Sequence, residues 1–504
     1  MKGKVFLVGA GPGDVGLLTL KGREVLEHAE AVVYDSLVGE GVFRFIPQEA
    51  ECIDVGKRAG NHKMSQKEIN HLLLEKALEG KCVVRLKGGD PFMFGRGGEE
   101  LELLAANSIP FEIVPGVTSP LAVPAYSGIP VTHREFSSSV HVFTGHRKQR
   151  EPLQLDFEAM VRVGGTFVFL MGGSSLGEIC QGLLAAGMEP QTPAAVLQQG
   201  TCAAQKKLIL GLADMEEAVQ QRAVQTPAVL VVGEVCALAN QFAWYDKLPL
   251  FGRKILVTRP RERSKILADR LRSLGAEVLE IPTIRTERIA ENRRLWQEFE
   301  HLCLYQYLVF TSPAGVNIFF GELRRRGQDI RSLGRVQIAA IGMGTAKEVE
   351  ARGLNCAWMP EVYDGEHLGI LLGEICKEGD RILIPRAEQG SRQLIKEIEK
   401  RVSVEIIDLP IYRTVYEEFP QVGDIRGQLE RAEIQMAVFT SASTVRGFAQ
   451  AAAGIDFRQM QAVCIGVQTE TAAKELAMKT VTAKAATIDG LVKACMAAAD
   501  SADG

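Results

Sequence analysis

Four short motifs recur in the second half of this chain at nearly one spacing, and they constrain its fold more than any other feature. Ile255-Leu256-Val257-Thr258-Arg259-Pro260 matches Ile382-Leu383-Ile384-Pro385-Arg386-Ala387, and Ile281-Pro282-Thr283-Ile284-Arg285-Thr286 matches Leu409-Pro410-Ile411-Tyr412-Arg413-Thr414. Phe310-Thr311-Ser312 matches Phe439-Thr440-Ser441, and Ala340-Ile341-Gly342 with Thr345 matches Cys464-Ile465-Gly466 with Thr469. The offsets stay between 124 and 129 residues and the order is kept. Chance does not hold four motifs in register, so the second half predicts two similar α/β lobes with a cleft between them.

The first half alternates strand-like runs with amphipathic helical patterns, again an α/β arrangement. Ser65 opens a capping box with Glu68, a helix is predicted through Leu78, and Gly80 stops it. Two strands, Val5 to Val8 and Cys82 to Leu86, run into glycine-rich turns: Gly9-Ala10-Gly11-Pro12-Gly13-Asp14 and Lys87-Gly88-Gly89-Asp90-Pro91. Glycine lacks the Cβ that would keep a ligand off the backbone, and such turns at strand ends are ligand sites in α/β sheets. The first turn departs from the dinucleotide fingerprint. Asp14 stands where its third glycine belongs, and Pro12 removes a backbone donor, although Asp35 lies about 20 residues on, where a ribose-binding acid is expected.

Taken together, Gly9 to Asp14, Tyr34-Asp35, Gly56-Lys57-Arg58, Arg85 to Phe92 and Val114-Pro115-Gly116-Val117-Thr118-Ser119 follow one another in the order of a known family. Residues 3 to 245 resemble uroporphyrinogen-III C-methyltransferases of the tetrapyrrole methylase family. The resemblance implies two unlike α/β lobes, about 1–119 and 120–245, with S-adenosylmethionine folded in the cleft between them. It implies a cofactor site at Pro12, Gly88, Gly89, Asp90, Met93, Thr118, Ser119, Met171 and Gly200. It also implies a base at Asp35 and a proton donor at Lys57. The chemistry suits such a site. A sulfonium donor needs little acid catalysis, but the pyrrole carbon must be held in line and a proton removed afterwards. A substrate with eight carboxylates calls for a basic pocket, to which Arg58 and Arg96 would contribute. An Asp at a strand end is otherwise a turn residue, a Gly-Lys-Arg run otherwise a solvated surface, and Arg96 otherwise an ion-pair partner of Glu99-Glu100.

Residues 253 to 504, after a boundary segment at 246–252, resemble uroporphyrinogen-III synthase. The resemblance implies two lobes joined by a two-stranded ladder, for which Glu280 to Thr286 and Ile407 to Thr414 are the candidates, each with a mid-segment proline that suits a linker better than a central strand. Lobe one is then about 253–282 plus 415–504, and lobe two about 286–407. Ring closure of hydroxymethylbilane needs no cofactor, since shaping and electrostatics suffice for a reactive substrate. Tyr412 is the implied general acid, with Thr345, Ser441 and Thr469 lining the cleft, while a buried structural Tyr412 is an equal alternative.

Composition narrows the function further. A formal charge of −4 provides no basic field for nucleic acid. Ten cysteines are scattered singly and no Cys/His cluster has zinc spacing, so no metal is expected and a reducing cytoplasm is. No signal peptide or membrane span is apparent in the sequence. The expected activity is a bifunctional one: closure of hydroxymethylbilane to uroporphyrinogen III and its double methylation to precorrin-2 for siroheme and cobalamin. Small tetrapyrroles are the expected partners, with a homodimer through the methylase half. The alternatives are a corrin, rRNA or diphthine methylase in the first half and a non-catalytic ligand-binding module in the second.

Overall fold

A computed structural model describes residues 2–56, 64–145, 153–170, 175–221, 226–259 and 261–501, the side chains of 261–263 apart. The described residues form two compact units, Met1–Ile281 with Phe419–Gly504, and Pro282–Glu418.

In the first unit, strands β1 (Lys4–Gly9), β2 (Ala31–Tyr34), β3 (Glu51–Asp54), β4 (Cys82–Lys87) and β5 (Phe111–Val114) make an all-parallel sheet in the order β3-β2-β4-β1-β5. Alternate side chains leave opposite faces, and both faces are covered. Val5 and Leu7 join one buried cluster with Leu73 and Leu104, while Val8 joins another with Leu26 and Val42. The helix Gln66–Leu78 starts at the Ser65–Glu68 capping box foreseen in the sequence. A second sheet takes β6 (Val140–Thr144), β7 (Thr166–Leu170), β8 (Pro193–Gln198), β9 (Lys206–Gly211) and β10 (Ala228–Val232) in the order β6-β7-β10-β8-β9. It is mixed, with β6 and β7 parallel and the other pairs antiparallel. The two halves of this region are therefore unlike. The segment 246–252 is packed rather than extended, with Leu250 fully buried, and it clusters with the first unit.

The repeat is visible as topology. Strands β11 (Lys254–Val257) and β12 (Glu277–Glu280) belong to the first unit. Strands β13 (Ile284–Arg288), β14 (Tyr307–Phe310), β15 (Gln337–Ala340), β16 (Arg381–Ala387) and β17 (Glu405–Tyr416) make the sheet of the second unit. Strands β18 (Met436–Phe439), β19 (Gln461–Cys464) and β20 (Lys479–Thr482) return to the first. One sheet runs β12-β11-β18-β19-β20 and the other β13-β17-β16-β14-β15. Under the motif correspondence, β12, β11, β18 and β19 are the counterparts of β17, β16, β14 and β15, so both lobes share one strand order. These four strands are parallel in each lobe.

The antiparallel ladder is present but sits further along the chain than the prolines suggest. Its pairs run from Ile284↔Tyr416 to Arg288↔Tyr412, so Glu280 and Ile407 lie outside it. The reason is the length of β17. Its first part completes the parallel sheet against β16, and only beyond a register shift at Pro410–Ile411 does its other edge take β13. Pro410 stands at that irregularity, before the ladder begins, where its missing N–H costs the ladder nothing.

Candidate functional site

Three turns meet at the carboxyl edge of the first sheet. Gly11 and Gly89 exchange backbone hydrogen bonds, N to O at 3.2 Å and 2.7 Å, tying the turn after β1 to the turn after β4. Asp90 ties the latter to the turn after β5: its Oδ2 accepts from Gly116 N at 3.0 Å, while Oδ1 accepts from Phe92 N and Met93 N. The backbones are so close that a Cβ on Gly116 would lie 2.2 Å from Gly89 O. Gly89 itself has φ +68°, and a Cβ there would meet nothing nearer than Ser119 N at 4.0 Å. It therefore faces open space in front of the helix Ser119–Tyr126, whose N-cap residue Thr118 uses no side-chain capping bond. This cradle of exposed backbone, which a side chain at Gly89 would fill, fits a bound nucleoside-type cofactor.

The second sheet's edge also reaches this region. Asp14 N donates to Thr201 Oγ1 at 3.1 Å, and Tyr126 donates its hydroxyl to Asp14 Oδ2 at 2.8 Å. A Cβ on Gly13 would strike Cys202 Sγ, and one on the buried Gly200 would strike Val123. Burial pushes the Cys202 thiol up to about 12. A cavity of about 30 Å³ lies behind this turn, lined by Gly13, Asp14, Thr201, Tyr245 and Glu277 among others. It has room for a water molecule and not for a cofactor.

Asp35 follows β2, beside the same turns. Its Oδ1 accepts from Leu37 N at 3.1 Å and from Gly88 N at 3.4 Å. Its Oδ2 lies 3.7 Å from Arg85 Nη2. Arg85 and Lys87 are buried charges near the end of β4, and both reach Oε1 of the fully buried Glu100, at 3.1 and 3.0 Å. Burial, with Arg85 beside it, pulls the Lys87 ammonium below the usual lysine value.

The structure thus brings together Pro12, Gly88, Gly89, Asp90, Thr118, Ser119, Gly200 and Asp35. Asp90 is engaged in holding the turns. Met93 is 39% exposed at the rim. Arg96 is an exposed residue in a bidentate pair with Glu99, at 2.9 and 2.6 Å. Lys57, Arg58 and Met171 lie outside the described residues. Sequence reasoning missed Arg85, Lys87 and Glu100. The available signal was two cations in a strand that a parallel sheet would otherwise fill with apolar residues.

In the second unit, Tyr412 is buried in an apolar cluster, its hydroxyl 2.7 Å from Ser312 Oγ, which caps the helix Pro313–Arg325. Thr345, near the start of Met343–Glu350, is buried. In the first unit, Ser441 caps Ala442–Ala451, and Thr469, near the start of Val467–Lys474, is buried. Ser312 and Ser441 occupy equivalent positions of the repeat. Both threonines pack into their own lobes and are 2% and 3% exposed. Among the described residues no three His, Cys, Asp or Glu side chains gather as a metal site, and no helix is long and apolar enough to cross a membrane.

Residues 4–216 match the family model of tetrapyrrole (corrin/porphyrin) methylases, and residues 265–493 that of uroporphyrinogen-III synthase HemD. A porphyrin biosynthesis protein HemD of Ruminiclostridium josui is 44% identical over 97% of each chain. The chain belongs to this family of fused tetrapyrrole-biosynthesis enzymes. Its first half is also 52% identical to an S-adenosyl-L-methionine-dependent uroporphyrinogen III methyltransferase of Methanosarcina barkeri, covering 47% of this chain and 93% of that one. A uroporphyrinogen-III C-methyltransferase of Bacillus subtilis is 40% identical over 70% of this chain and 72% of its own. Both enzyme classes therefore stand in one polypeptide, with a methyltransferase followed by a synthase. The full-length match sets aside a ligand-binding module as the second half.

Proposed function

We propose that this chain closes hydroxymethylbilane to uroporphyrinogen III and then methylates that product twice, giving precorrin-2 for siroheme and cobalamin. The observation that carries the reading is the meeting of the three turns beside Asp35, in a chain that is 44% identical to a porphyrin biosynthesis protein HemD over 97% of each chain. S-adenosylmethionine supplies the methyl group as a sulfonium. Gly88, Gly89, Thr118 and Ser119 offer it backbone groups and hydroxyls, with Pro12 and Gly200 on the adjoining turns and Met93 and Met171 as apolar wall. Asp90 serves by bracing the turns. Asp35 takes the proton that leaves the methylated ring, Lys57 donates where one is required, and Arg58 and Arg96 meet the substrate's carboxylates.

For ring closure, Tyr412 is the assigned acid for loss of water, with Ser312 as its hydroxyl partner and Thr345, Ser441 and Thr469 on the two lobes' helix starts. The work is divided near 246–252, with synthase lobes at about 253–282 plus 415–504 and 286–407. We place the enzyme in the cytoplasm as a homodimer through the methylase half, consistent with ten free cysteines. The test is to supply the purified chain with hydroxymethylbilane and S-adenosylmethionine and identify the tetrapyrroles by mass and chromatography. A twice-methylated type III product is expected. A type I ring, or a product that stays unmethylated, would refute the assignment.

A further inference from the structure

The structure assigns a positioning role in methylation to Arg85: we infer that this buried guanidinium, anchored by Glu100, fixes the Asp35 carboxylate in its working orientation. The inference rests on the proposed role of Asp35 as proton acceptor.

Arg85 lies within β4, flanked by Leu7 on β1 and Val33 on β2, and its side chain is 4% exposed. An arginine there displaces an apolar residue from the middle of a parallel sheet and must be fully compensated. Its donors are distributed in a particular way. Nε donates to Glu100 Oε1 at 3.1 Å. Nη1 donates to the carbonyls of Val33 and Leu86, at 3.3 and 3.1 Å. Nη2 lies 3.7 Å from Asp35 Oδ2. One side of the planar fork is therefore locked by sheet carbonyls and another by Glu100 on the helix Gly97–Ala106, and the third faces the Asp35 carboxylate. A guanidinium held this way can pivot little, which makes it a fixed reference for Asp35.

Glu100 completes the arrangement. It is fully buried, and its Oε1 accepts from Arg85, from Lys87 at 3.0 Å and from Gln66 Nε2 at 3.2 Å, while Oε2 has no hydrogen-bond partner. One carboxylate thus faces two cations, and the second carboxylate that balances them is Asp35. Among the described residues, the Asp35 side chain otherwise accepts from the backbone N–H groups of Leu37 and Gly88, on its Oδ1. Removing Arg85 would take away the cation that the described residues set beside Oδ2.

The test is a double-variant cycle on the full chain with Asp35→Asn, Arg85→Lys and the two combined. Lysine keeps the charge but cannot serve Glu100, the two carbonyls and Asp35 at once. Values of kcat and KM for uroporphyrinogen III are measured at saturating S-adenosylmethionine, with cofactor affinity by calorimetry and melting temperature alongside. Arg85→Lys is expected to lower kcat by about 30-fold to 100-fold, the cost of misplacing a reacting group. Cofactor affinity should stay within about threefold, and little further loss should appear on the Asp35→Asn background. A loss that multiplies in full on that background, or an unchanged kcat, would overturn the inference, since an arginine that only holds the sheet together acts the same with or without Asp35. Parent turnover in Asp35→Asn alone would instead overturn the reading of Asp35 itself. If Arg85→Lys does not fold, Arg85→Gln combined with Glu100→Gln removes both buried charges together and is read in the same cycle.

Discussion

Arg85 and Arg386 are both buried arginines near the carboxyl ends of parallel strands, and they are held in opposite ways. Arg386, on β16 of the second unit, forms a closed bidentate pair with Asp408 at 2.5 and 2.6 Å, and its Nη1 donates to Ser391 O. Arg85, on β4 of the first unit, divides its donors between Glu100, two carbonyls and Asp35. A closed fork-to-fork pair satisfies itself and stabilises its lobe. A divided one leaves a direction, and here that direction is the carboxylate beside the glycine turns. The same contrast runs through the two halves. The methylase half brings together glycine turns that leave backbone bare. The synthase lobes present serine-capped helix starts and bury their threonines.

The largest effect that would sharpen this contrast is Gly89→Val. A β-branched side chain at φ +68° is strained and would project into the open space before Ser119. Methylation should fall below detection and calorimetric binding of S-adenosylmethionine should vanish, with ring closure kept in the same preparation. Parent-like cofactor affinity would show that the cradle is only structural. Arg386→Met should next act on stability. Breaking a buried pair costs about 3–5 kcal/mol, reduced here because Asp408 is partly exposed, so denaturant unfolding of the second unit should shift to clearly lower concentration. An unchanged transition would remove the distinction drawn between the two arginines. Tyr412→Phe is the smallest of the three. It removes one hydroxyl from a buried pair with Ser312, and ring closure should slow by about tenfold, roughly 1.4 kcal/mol. Full activity would exclude Tyr412 as an acid.

Much of this architecture can be read from the chain. The four repeated motifs correspond to four strands in the same order in each lobe, because a duplicated run of strand-forming residues repeats its packing as well. The glycine turns fall at strand ends, and Gly89 faces open space as the absence of a Cβ allows. Other features depend on registers that no local pattern carries. Arg85 comes within 3.7 Å of Asp35 because β2 lies beside β4, which brings together residues fifty apart in the chain. Glu100 reads as a surface partner of Arg96 until the helix Gly97–Ala106 turns it inward while Glu99 remains outside. The ladder's position follows from a bulge in a 12-residue strand, and a mid-segment proline alone does not locate it.

The most direct test of the account is to give Asp35→Asn protein hydroxymethylbilane and S-adenosylmethionine and follow each product over time. Unmethylated uroporphyrinogen III should accumulate at the parent's rate of ring closure, with methylation slowed by about 10²–10⁴-fold, as expected for loss of one acid–base group. Methylated product forming at the parent rate, or ring closure falling in step with methylation, would contradict the assignment of the two chemistries to separate frameworks within one chain.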